Sequence, residues 1–121
     1  GVEWFARHWS GRPLFAGLAR RGPDHQARVL EDRLRNSPQH LAASLRGMGP
    51  GSAPAVWDDL GAITVPALFV AGSEDGDYPE LAERMAASVP RGRAAIVAGA
   101  GHSVHLEDPA AVAALLSAQL A

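Results

Sequence analysis

Ile63-Thr64-Val65-Pro66-Ala67-Leu68-Phe69-Val70-Ala71 is an almost unbroken apolar, β-branched run, closed by the turn Gly72-Ser73-Glu74-Asp75-Gly76-Asp77. A run of this kind reads as a strand buried on both faces, the habit of parallel sheets. Pro66 belongs at its first residues, where no ladder donor is lost. Downstream, Pro79 to Val89 spaces Leu81, Ala82, Met85 and Val89 along one side of a helix. Arg93 to Ala98 forms a second short strand, and Gly99-Ala100-Gly101-His102 a loop. Asp108 then caps a last helix with Pro109 at its first position and Val112, Leu115, Leu116 and Leu120 as its apolar face. The order strand, helix, strand, helix predicts a crossover of the right-handed kind and a parallel pair.

The residues before this stretch follow a different grammar. Trp4, Phe5 and Trp9 cluster near the start, and Gly11-Arg12-Pro13 breaks the segment before Pro13-Leu14-Phe15 opens a short helix. Residues 24–35 form a helix with Asp24 as its N-cap. Ser37-Pro38 starts another, whose buried side is Leu41, Ala42 and Leu45. Gly47 to Pro54 is a loop, and Trp57 to Leu60 is one more helical turn. The expected division is thus a helical segment over residues 1–60 and a strand–helix–strand–helix unit over 61–121. Two buried parallel strands do not finish a sheet. The first strand should therefore have a partner outside this chain, and the sequence reads as the C-terminal part of a larger α/β protein.

Composition narrows the function classes. The 121 residues carry 11 Arg and no Lys against 13 acids, with no Cys. A net charge of -2 gives no basic footprint for nucleic acid. The lack of Cys excludes disulfides, thiolate metal sites and a Cys nucleophile. No apolar run reaches a membrane span, and the first residues lack a signal-peptide pattern, so a cytoplasmic location is expected. Residues 1–60 hold eight Arg against six acids, and Arg suits bidentate binding of carboxylates.

Ligand sites of open α/β sheets lie at the carboxyl ends of the strands. Asp75 follows the first strand and His102 the second, so the topology should bring them together despite their distance in sequence. A carboxylate that fixes the tautomer of a His makes it a competent base, and acid before His is the chain order of the last two triad members in one group of hydrolases. Asp77 is the alternative acid. His105, Glu107 and Asp108 could be read as metal ligands, but no second cluster supports them; His105 is expected to pack or bond locally, and Glu107 and Asp108 to serve the last helix. Gly101-His102-Ser103-Val104-His105 is not a nucleophile elbow, because it ends in His and follows the last strand. Gly99-Ala100-Gly101 lacks the third Gly of a dinucleotide fingerprint. No Ser has an elbow context, so the nucleophile is expected elsewhere.

Val65-Pro66 through Asp75, with Gly101-His102-Ser103-Val104-His105-Leu106-Glu107-Asp108-Pro109, resembles the end of an α/β-hydrolase. Trp9-Ser10-Gly11-Arg12-Pro13-Leu14-Phe15, Arg33-Leu34-Arg35-Asn36-Ser37-Pro38 and Leu41 to Gly51 resemble the cap of the MenH-type enzymes of menaquinone biosynthesis. These are the 2-succinyl-6-hydroxy-2,4-cyclohexadiene-1-carboxylate synthases, and the resemblance spans the chain but only the family's C-terminal half. It implies a C-terminal fragment of an α/β-hydrolase fold, a helical cap segment followed by the final β-α-β-α. It implies His102 as triad base, Asp75 as triad acid, Trp9 lining the substrate pocket and Arg33 binding substrate carboxylate. The family eliminates pyruvate from a succinylated enolpyruvyl cyclohexene carboxylate without metal or organic cofactor. The expected partners are a small polycarboxylate substrate and the N-terminal half, with the isolated chain inactive. A generic ester or C–C hydrolase, or a non-catalytic module binding carboxylates or a partner, are the alternatives.

Overall fold

The computed structural model describes all of residues 1–121 and divides the chain into two compact units, Gly1–Ala55 and Val56–Ala121. The division falls five residues before the expected one, because the 3-10 turn Trp57–Ala62 belongs to the second unit. There Leu60 is buried, and the Arg84 guanidinium of the same unit lies 5.1 Å over the Trp57 ring.

The first unit is all helical: α1 (Val2–Ser10), a 3-10 turn at Pro13–Phe15, α2 (Ala16–Ala19), α3 (Pro23–Leu34) and α4 (Pro38–Met48). Ser37 caps α4 by accepting from His40 N at 3.1 Å, with Pro38 opening the helix. In α3 the expected cap is corrected. Pro23 already takes the first helical position, so Gly22 is the N-cap and Asp24 sits in the first turn, favourable to the helix dipole but not capping. The packing is thin, with Ala6, Gly17 and Leu18 buried inside helices. Leu45 of α4, expected inside, is 55% exposed.

The second unit is built on β1 (Ala67–Gly72) and β2 (Gly92–Val97), a parallel pair in register from Ala67 opposite Gly92 to Gly72 opposite Val97. Pro66 lies just before β1, consistent with its missing donor. Between the strands runs α5 (Tyr78–Ser88), which buries Ala82 and Ala86 and half-buries Leu81 and Met85. The expected burial of β1 on both faces holds only at its end: Ala71 and Gly72 are buried, while Val70 is 37% exposed. β1 has β2 along one edge and no strand along the other, so its middle residues lack the neighbours that would cover them.

After β2 come the short α6 (Val104–Glu107) and α7 (Pro109–Leu120), the latter capped by Asp108 through Ala111 N at 3.0 Å. Val97, Ala100 and Val104 form the core cluster, against which Ala111, Val112 and Leu115 pack. Burying side chains such as Val97 and Val104 contributes about 1.5–3 kcal/mol each. Leu116 and Leu120, expected on the same face, are 53% and 86% exposed. Apolar residues lie around most of α7, and the side carrying Ala111, Val112 and Leu115 meets the core. No helix is long and apolar enough to cross a membrane.

Candidate active site

Two loops leave the carboxyl ends of β1 and β2, and the backbone stitches them together. Ser73 N donates to Val97 O at 2.9 Å, Glu74 N donates to Ala100 O at 2.9 Å, and Gly99 N donates to Ser73 Oγ at 2.8 Å. The approach is close enough to require Gly72: a β-carbon there would lie 2.2 Å from Ala100 O and 2.4 Å from Gly101 O.

This stitching joins the two residues expected to meet. His102 Nδ1 lies 2.9 Å and 3.0 Å from the two carboxylate oxygens of Asp75. The Asp75 side chain is only 6% exposed and that of His102 29%. A buried carboxylate is costly unless hydrogen-bonded, and here the Nδ1–H of His102 donates to it. That bond places the proton on Nδ1 and the basic lone pair on Nε2, the arrangement of a general base whose imidazolium is stabilised by its partner. Tyr78, the first residue of α5, sets its ring edge-on to the imidazole with centroids 4.9 Å apart. Asp75, Tyr78 and His102 border a cavity of about 210 Å³ whose remaining wall includes Phe69, Val70 and Met85. Asp77, the alternative acid, is exposed at the N-cap of α5 and makes no side-chain cap bond.

Glu107 departs from its expected role. It does not serve the start of α7. It is 8% exposed, and its carboxylate accepts from Gly101 N at 2.8 Å and Ser103 N at 3.2 Å. Asp108 alone caps α7, and His105 is exposed instead of packed. The alternative reading of these three as metal ligands finds no support in the geometry: Glu107 and Asp108 are turned to separate backbone amides, and the three do not form a group that could hold an ion. The pattern Gly101-His102-x-x-His105-x-Glu107-x-Pro109 contained the signal for Glu107, in the acid placed five residues after the His. Tyr78 and Ser73 carried no sequence signal, since their contacts arise only when the two loops meet.

Trp9 and Arg33 lie together in the first unit, on the wall of a cavity of about 320 Å³ that also includes Phe5, Asn36, Leu41 and Ser44. Trp9 stacks on Phe5 at 5.8 Å and tilts against Phe15 at 5.9 Å. The Arg33 guanidinium donates to Ser10 Oγ and lies 4.8 Å over the Phe15 ring, while Ser10 Oγ donates to Ala6 O at 2.7 Å. Partial burial holds the Arg33 pKa below its usual value. Its partners are a hydroxyl and a ring face, neither of which neutralises it.

The chain is 38% identical over 109 residues to a 2-succinyl-6-hydroxy-2,4-cyclohexadiene-1-carboxylate synthase of Bacillus subtilis, described there as putative, covering 90% of this chain and 40% of that protein. It is 30% identical over 104 residues to the enzyme of the same name from Salmonella newport, covering 86% of this chain and 38% of that protein. The solved structure of MenH from S. aureus superposes with a TM-score of 0.93 at 31% identity, over 99% of this chain and 45% of that one. The chain therefore spans well under half the length of the relatives it matches. A family model described as alpha/beta hydrolase matches residues 1–115, and the chain belongs to the alpha/beta hydrolase family.

Proposed function

We propose that this chain supplies the base and the acid of a Ser–His–Asp constellation in a lyase that eliminates pyruvate to form 2-succinyl-6-hydroxy-2,4-cyclohexadiene-1-carboxylate, a step of menaquinone biosynthesis. The observation that carries the reading is the His102–Asp75 pair at the carboxyl ends of two parallel strands. The serine belongs to a segment beyond these 121 residues, which would extend the sheet along the open edge of β1. In the reaction, His102 takes the serine proton through Nε2. The activated serine removes a proton from a ring carbon, and the electron pair shifts through the ring to break the carbon–oxygen bond to the enolpyruvyl group. The departing enolate takes the proton held on His102 to become pyruvate. Asp75 holds and orients the imidazolium that forms in between.

The substrate class follows from Arg33 and Trp9. A desolvated guanidinium without a neutralising partner favours a carboxylate, which it can grip with two parallel bonds. Trp9 offers an apolar wall to the ring. Residues 1–55 on this reading are the helical cap, and the protein acts in the cytoplasm on a small polycarboxylate, with no nucleic acid.

The test is pyruvate release by the whole protein carrying this chain. Loss of release in His102→Ala supports the assignment. Retained release at the wild-type rate overturns it. Turnover of simple carboxylic esters without pyruvate release would instead make the protein a hydrolase of the same fold.

A further inference from the structure

We infer that Glu107 is a positioning residue for His102: one buried carboxylate grips the backbone on both sides of the base and so fixes where its imidazole stands. The inference rests on the reading of His102 as the base.

Three observations carry it. Gly101 N and Ser103 N, the amides flanking His102, both donate to the same carboxylate, Gly101 to Oε2 and Ser103 to Oε1. The side chain is almost fully buried, so these bonds are shielded from water and are charge-assisted. The chain also returns on itself to make them. Leu106 N and Glu107 N both donate to Ser103 O, at 2.8 Å and 2.9 Å, closing α6 as a single turn under its own N-terminus. The arrangement is the acid half of a capping box, with the acid one residue beyond its usual place and no cap bond from the Ser103 side chain. The displacement lets it reach past the cap to Gly101. The approach is tight, since a β-carbon on Gly101 would lie 3.1 Å from Oε1.

Neither neighbour of Glu107 can replace it. Asp75 holds the ring of His102 but not its backbone. Asp108 is turned to Ala111 N. The ring is thus held at Nδ1 by one carboxylate, and the backbone on either side of it by another.

The test compares Glu107→Gln and Glu107→Asp in the whole protein carrying this chain. Gln keeps one acceptor oxygen and so one amide bond; Asp keeps the charge but is one methylene short. A displacement of about 1 Å at a reacting group can cost on the order of 100-fold in rate. The expected result is a fall in kcat of about 10- to 100-fold in Glu107→Gln with KM within about twofold, a partial recovery in Glu107→Asp, and a changed ring nitrogen NMR signal of His102. A folded Glu107→Gln protein with unchanged kcat and unchanged ring signal overturns the inference, as does a fall in kcat that only mirrors a loss of folded protein. Should both variants fail to fold, the wild type decides. Gly101 and Ser103 amides that respond to Glu107 ionisation and resist exchange support the inference; amides that exchange like open loop positions refute it. Should His102→Ala retain full pyruvate release, the functional reading fails instead, while the ring signal still reports on Glu107.

Discussion

Replacing Gly72 by Ala puts one methyl group where the loops after β1 and β2 touch. The added carbon would start 2.2 Å from Ala100 O and 2.4 Å from Gly101 O. A carbon and a carbonyl oxygen do not approach closer than 3.0 Å, so strand end and loop must part by about 0.8 Å. Backbone lines both sides, and no side chain can swing away to absorb the strain. The bonds from Ser73 N to Val97 O and from Glu74 N to Ala100 O, both 2.9 Å, would stretch past useful length. Overpacking of about 1–3 kcal/mol and two weakened hydrogen bonds at about 1 kcal/mol each give a loss of about 3–5 kcal/mol. The Asp75–His102 contact would open by a similar distance. Urea unfolding of the chain reads the first effect, and the NMR signal of the His102 Nδ1 proton, held by Asp75 in the wild type, reads the second. A Gly72→Ala chain within about 0.5 kcal/mol of wild type that keeps this proton signal would refute the account of how the loops are joined.

Asp75→Asn should lower pyruvate release by the whole protein by about 10³- to 10⁴-fold, because the amide can stabilise the wrong tautomer of His102. Asp77→Asn should leave the rate within about twofold, since Asp77 is exposed and makes no side-chain bond to its helix. Leu115→Ala should cost about 2 kcal/mol in urea unfolding and Leu116→Ala under about 0.5 kcal/mol, because only Leu115 packs against the Val97, Ala100 and Val104 cluster. Equal losses at the two positions would contradict this orientation of α7. Asp108→Ala should cost about 1 kcal/mol by the same measurement, through the lost bond to Ala111 N. In the whole protein, Arg33→Met should raise KM for the polycarboxylate by at least about tenfold, and an unchanged KM would remove Arg33 from substrate binding.

The strands, the helix between them and the meeting of Asp75 with His102 could be read from sequence, because a buried parallel strand and its following turn leave compact local signatures. Ser37 and Asp108 announced their helices for the same reason: each side chain satisfies an amide three residues away. What escaped depends on the fold being closed. Leu45 and Leu116 sit at helical spacing within apolar stripes, yet periodicity gives the direction of a stripe and not the width of the surface it meets. Glu107 is visible as an acid five residues after His102, but that spacing fits the start of the next helix as well as it fits a side chain turned back toward residues 101 and 103. Tyr78 against His102 joins two loops and has no local mark at all.

Every bond described around the imidazole begins and ends between Gly72 and Glu107. These bonds all lie within the second unit, and the last helix backs them by packing Ala111, Val112 and Leu115 against Val97, Ala100 and Val104. On the proposed reading, exchanging residues 1–55 would alter what is recognised and leave the bonds between Asp75, His102 and Glu107 in place. Selection can then revise recognition and chemistry on separate schedules, which suits a scaffold that serves many reactions.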